Sequence, residues 1–152
     1  MTHLTPIGIV HSTRSVVEDD LWDQERARIE LDPSFEPEAL LGLADFSHVM
    51  VVFHMDQIDP AKIERGARHP RGNEAWPRVG IFAQRAKNRP NQLGVTVCQI
   101  ERVDGRTLHV RGLDAIDGTK VLDLKPWVTS MGPRGEVREP AWMGELMARY
   151  WA

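Results

Sequence analysis

Asp104-Gly105 limits the folds open to this chain more than any other pair of residues. It lies between an apolar-rich run at 95–103 and a run at 106–111 in which Leu108 and Val110 alternate with His109 and Arg111. An Asp-Gly pair between such runs signals a hairpin, because both residues tolerate the positive φ of a type I′ turn. The remaining strand signals are short and closely spaced: Pro6-Ile-Gly-Ile-Val-His11, Arg28-Ile-Glu-Leu31, Val49-Met-Val-Val-Phe53 and Val121-Leu-Asp-Leu-Lys-Pro126. The run at 49–53 is continuous, which predicts a central strand buried on both faces. Helical signals are slight. Pro37 to Leu41 is followed by Gly42, and Asp59-Pro60 leads to Gly66, each with the capping residues of one or two turns. Together these features predict a mainly β protein, a small antiparallel barrel or sandwich with short helical additions. No glycine-rich strand–turn–helix occurs, which excludes a Rossmann-type cofactor site.

After residue 127 the pattern changes. Residues 128–138 are rich in Gly, Pro and Ser, and Glu139-Pro140 then opens a helix. Trp142, Met143, Leu146, Met147 and Tyr150 fall on one face, and Glu145 and Arg149 are spaced to pair on the other. The expected organisation is a barrel over residues 1–127, followed at 128–152 by a linker and a C-terminal helix. That apolar face must dock on the body or on a second subunit.

The chain of 152 residues carries a net charge of −3, so it is no generic nucleic-acid binder. The charge is uneven, however. Residues 18–45 hold ten Asp/Glu against two Arg, a local net of −8. Residues 62–89 hold eight Lys/Arg against two Glu, a local net of +6. Such asymmetry predicts either a local anion-binding surface or charges that pair on folding. Cys98 is the lone cysteine and sits in an apolar run, so an inert buried thiol is expected, without a disulfide. No two His have metal-ligand spacing, and no Ser has a nucleophile-elbow context. No signal-peptide core or membrane-spanning run is present, so the expectation is a soluble cytoplasmic protein.

Two stretches offer chemistry. In the loop at 80–94, Arg85, Asn88, Arg89 and Asn91 crowd around Pro90. Two guanidiniums and two amides on so constrained a segment present fixed donors to a polar or anionic ligand. The second is the turn carrying Asp114, Asp117 and Gly118. Its carboxylates can accept from ribose hydroxyls or an amino group, hold a cation, or cap their own backbone.

These stretches also carry a family resemblance. Gly80-Ile-Phe-Ala-x-Arg-x-x-Asn-Arg-Pro-Asn-x-Leu-Gly94 and Leu113-Asp-x-Ile-Asp-Gly-Thr-x-Val-Leu-Asp-Leu-Lys-Pro126 resemble the TsaA-like domain, also called the TrmO or YaeB-like family. The opening Pro6-Ile-Gly-Ile-Val-His and the segment Gly42-Leu-x-x-Phe-Ser-His-Val…Phe53-His54 are similar too. The resemblance implies a small antiparallel β-barrel, usually a homodimer, that binds S-adenosylmethionine. The activity it implies is N6-methylation of threonylcarbamoyl-adenosine at position 37 of tRNA, with no membrane and no metal. The implied cofactor contacts are the strand end His54-Met55, then Arg85, Asn88, Arg89, Asn91 and Leu93, and the turn Asp114-Ala115-Ile116-Asp117. Gln24 matches a Gln of the N-terminal loop. On chemical grounds Asp117 is the carboxylate expected to help remove or relay the acceptor's proton, with positioning alone as the alternative. Arg65 to Arg89 would face RNA phosphates. Two other readings stay open: methyl transfer to a small molecule, and cofactor binding without turnover. Gln84, Lys87 and Gln92 stand where the family has Thr, Pro and Pro. The lost prolines are expected to loosen the loop.

Overall fold

The computed structural model describes residues 1–16 and 18–152. Six strands close into an antiparallel barrel of order β1-β2-β7-β6-β3-β8, with β8 returning to β1. They are β1 (Gly8–Ser12), β2 (Arg26–Leu31), β3 (His48–His54), β6 (Leu93–Asp104), β7 (Thr107–Arg111) and β8 (Lys120–Pro126). Period-two patterning places Val10, Ile29, Val49, Val51, Leu108, Val110 and Val121 inside with no exposed surface. Burying each such side chain stabilises the barrel by about 1.5–3 kcal/mol before entropy is counted. Phe53, Cys98 and Ala27 complete the lining, and Leu40 plugs one end from a 3-10 turn at Pro37–Leu40.

Three local expectations change. First, β3 is central, between β6 and β8, but only Val49, Val51 and Phe53 are buried; Met50 and Val52 lie half-buried on the outer face. A continuous apolar run predicts two covered faces, whereas the outer face of β3 is only half covered by the described residues. Second, the hairpin turn centres on Gly105-Arg106, because Asp104 pairs with Thr107. Only Gly105 has positive φ (59°), as in a type II′ turn. Third, Glu145 does not pair with Arg149; it accepts from Trp76 Nε1 at 2.7 Å.

Two departures from a plain barrel create a site. Strand β6 pairs with β3 over 93–99 but with β7 only from Gln99 onward, so its far edge at 93–98 has no ladder partner. Residues 112–119 run past that edge, with Leu113 and Ala115 buried in the core. Beside it, β4 (Ala67–Arg68) and β5 (Val79–Gly80) form a two-stranded sheet. The buried Gln84 pins this sheet, donating from Nε2 to Arg68 O at 3.2 Å and to Val79 O at 3.0 Å.

The C-terminal helix α1 (Ala141–Met147) docks on the body of its own chain. Besides Glu145, its segment is tied through Arg149 O and Tyr150 O, which accept from Leu21 N (3.1 Å) and Trp22 N (2.8 Å). Among the described residues, no helix is long and apolar enough to cross a membrane.

Candidate functional site

Where β6 parts from β7, a cavity of about 970 Å³ opens along the free edge of β6. The end of β3 and the residues after it supply Phe53, Met55 and Ile58. The loop at 84–91 supplies a basic rim, and the turn after β7 supplies Asp114, Ala115 and Ile116. The acidic segment at 18–22 and the C-terminal segment close the remaining sides. Gly94 is required at this edge: a Cβ there would stand 2.4 Å from the Phe53 ring, so only glycine lets Phe53 pack across β6.

Asp114 is the carboxylate best placed for recognition. It accepts hydrogen bonds from Thr96 Oγ1 and from the Tyr150 hydroxyl, one on each oxygen. Burial, then the neighbouring Asp114 charge, pushes the Tyr150 phenol well above its usual range, so it stays a protonated donor. Arg85 acts on Tyr150 in the opposite sense, which puts a guanidinium in the same neighbourhood. Arg85 donates to Val95 O at 3.0 Å and Arg89 to Gln84 O at 2.6 Å. Each thus holds its place through a backbone carbonyl while keeping other N–H groups for a ligand.

The loop itself is tied rather than loose. Gln92 donates to Met55 O (3.3 Å) and Ile58 O (3.1 Å), and Lys87 reaches Asp19 at 3.0 Å. Asn91 and Gln92 adopt positive φ (63° and 51°), a conformation uncommon outside glycine that the surrounding bonds hold in place. Lys87 and Gln92, the two replacements of proline, therefore substitute bonds for the rigidity proline would give.

Of the residues singled out from sequence, Met55, Arg85, Asn88, Arg89, Asn91, Leu93, Asp114, Ala115 and Ile116 all line this cavity. His54, Gln24 and Asp117 do not. His54 follows the inward Phe53 and falls on the outer face of β3. Gln24 is exposed and reaches only Asp23. Asp117 is exposed and accepts from Ser12 N at 3.0 Å. Sequence reasoning missed Thr96, Trp22, Trp142 and Tyr150, all on the cavity wall. Period two does put Thr96 on the inner face of β6, and helical spacing marks Trp142 and Tyr150 as a docking face without saying what they line; nothing local marks Trp22. Trp22 is 2% exposed, with Arg14 stacked 4.0 Å from its ring centroid, and its Nε1 donor has no acceptor among the described residues. No group of three His, Cys, Asp or Glu is poised for a metal among the described residues.

A small closed β-barrel with a nucleotide-sized cavity at its split, acidic on one wall and basic on the rim, is a ligand-binding barrel. Residues 16–132 match the tRNA-methyltransferase O N-terminal domain, and the chain belongs to that family. A crystal structure of TrmO from Pseudomonas aeruginosa superposes with a TM-score of 0.71 at 32% identity, covering 91% of this chain and 62% of that one. The Rattus norvegicus tRNA (adenine(37)-N6)-methyltransferase is 34% identical over 131 residues, 81% of this chain and 30% of the relative. A Pyrococcus abyssi protein described as a probable S-adenosyl-L-methionine-binding protein is 33% identical over 138 residues, 88% of this chain and 72% of the relative. The chain thus spans under a third of the mammalian enzyme's length.

Proposed function

We propose that this chain is a cytoplasmic S-adenosylmethionine-dependent methyltransferase that modifies the N6 group of threonylcarbamoyl-adenosine 37 in tRNA. The observation that carries the reading is the cavity itself, which nine residues from three separate stretches, Asp114 among them, line together. Its donor set fits the cofactor. The Asp114 carboxylate suits ribose hydroxyls or an amino group, Arg85 suits the methionyl carboxylate, and Phe53, Met55 and Ile116 give apolar walls. When bound, S-adenosylmethionine supplies an electrophilic methyl group on sulfur. The residues of this chain then have three tasks: to orient the donor, to bring the acceptor nitrogen into line, and to exclude water. Thr96 and Tyr150 fix the Asp114 carboxylate in advance, so little ordering remains at binding. Asp117 stands outside the cavity lining, and the acceptor nitrogen loses its proton to solvent once the methyl group has been transferred.

Transfer of labelled methyl from S-adenosylmethionine to unfractionated tRNA tests the reading, with nucleoside digestion to locate the label. The expected result is label in an N6-modified adenosine, reduced tenfold or more in Asp114→Asn and within a few-fold of the parent in Asp117→Asn. Cofactor binding by calorimetry without label in tRNA would overturn the RNA substrate and favour a small-molecule acceptor or binding alone.

A further inference from the structure

We infer that the C-terminal segment builds a nucleobase subsite in this cavity, with Trp142 as its stacking surface. The inference rests on the tRNA reading above and names how the acceptor base is held. Trp142, Tyr150 and Trp151 line the cavity, although they lie beyond residues 16–132, the part that matches the family. Tyr150 is committed to Asp114, and its ring meets Trp151 edge-on at 4.8 Å. Trp142 has no such engagement among the described residues: it takes no ring partner, no stacked cation and no hydrogen bond, and it is half-buried. An indole on a cavity wall that no ring, cation or hydrogen bond of the described residues engages is what an unstacked purine can stack on.

Two further observations favour the acceptor base over the cofactor as its occupant. The residues suited to the cofactor come from the barrel and its loops, within the part that matches the family, whereas Trp142 and Trp151 come from the segment beyond it, which the cofactor reading leaves unused. The cavity is also at the upper end of the size range of single-ligand sites, about 300–1,000 Å³, with room for a second planar group beside the first. Arg68 and Arg71 line the same cavity, so a base seated on Trp142 keeps its flanking phosphates near guanidiniums.

The test compares Trp142→Phe with Trp142→Leu in the full chain. Leu keeps an apolar side chain on α1 but has no π face, whereas Phe has one. Binding of unfractionated tRNA and of S-adenosylmethionine is measured separately, with near-ultraviolet circular dichroism reporting the seating of the C-terminal segment. The expected result is a tRNA affinity lower by about ten- to hundredfold in Trp142→Leu, largely restored in Trp142→Phe, with cofactor affinity within twofold in both. Equal effects of Leu and Phe on tRNA binding would make Trp142 a packing residue and overturn the subsite. A parallel loss of cofactor affinity would do the same, by assigning the indole to the cofactor. Absence of tRNA binding in the parent protein would overturn the tRNA reading and the subsite with it, whereas retained tRNA binding in Trp142→Leu overturns the subsite alone.

Discussion

Cys98 sits on the inner face of β6, 2% exposed, with its Sγ 3.8 Å from Val49 O. Burial, and then the Asp114 charge, pushes its thiol up to about 12 from 9.0. The thiolate is therefore inaccessible in the folded protein but forms freely in the unfolded chain. Because the folded pKa is raised, this contribution to stability is fully present below pH 9 and is lost as pH rises toward 12. Its slope approaches about 1.4 kcal/mol per pH unit once the unfolded thiol has ionised. Urea midpoints at pH 8 and pH 10 measure it. The parent should lose stability between the two, while Cys98→Ala should start lower from its small cavity and show a flatter dependence. An equally steep fall in Cys98→Ala would assign the alkaline loss to another group. The lone cysteine's inertness was readable from its apolar run. Its coupling to Asp114 was not, because residues sixteen apart meet here only where the segment after β7 passes the free edge of β6.

Among the elements, the acidic segment at 18–22 and the basic loop show how charge asymmetry resolves on folding. Asp19 pairs with Lys87 at 3.0 Å and approaches Arg71 at 3.9 Å, and Asp20 pairs with Arg71 at 3.1 Å. Two of the cations suited to RNA phosphates are thus already occupied by carboxylates of the same chain. RNA must compete with these pairs, which, being partly exposed, are worth about 0–1 kcal/mol each. Asp19→Asn combined with Asp20→Asn should therefore raise tRNA affinity roughly two- to tenfold. The control is Glu36→Gln with Glu38→Gln, which removes the same charge from two exposed residues that form no ion pair among the described residues. Equal gains in both variants would reduce the effect to net charge. Filter binding across a salt series measures both, because phosphate contacts carry the salt dependence. The sequence showed the two charge blocks, but pairing and anion binding are alternatives that only the placement of Lys87 and Arg71 decides. The strands were legible for a simpler reason: alternation in 28–31 and 106–111, and the Asp-Gly pair, act locally. The cavity wall formed by Trp22, Trp142 and Tyr150 depends on contacts between the two ends of the chain, which no local pattern encodes.

For the whole molecule, the question is what covers the outside of the barrel. The apolar face of α1, one candidate for a subunit contact, is spent on the molecule's own cavity. The outer surface of β3 and β6 carries apolar side chains in cross-strand pairs, where Met50 opposes Val97 and Val52 opposes Val95. Val95 and Val97 are 39% and 37% exposed, and Phe82 beside the cavity is 78% exposed. Exposed apolar surface of this kind is where a second copy would dock. Because Val95, Val97 and Phe82 also border the cavity, a second copy seated there would wall in the open side of the site. Charges placed at Met50 and Val52 test this without touching the cavity lining. Met50→Glu lies opposite Lys125 and Val52→Lys opposite Asp123 on β8, so each new charge gains a cross-strand partner and the barrel should keep its stability. Sedimentation at micromolar concentration should show a dimer for the parent and a monomer for the double variant, with unchanged far-ultraviolet dichroism. If the second copy completes the site, cofactor affinity falls with the dimer and recovers at high protein concentration. A monomeric parent, or a variant that still sediments as a dimer, would rule out this face as the contact.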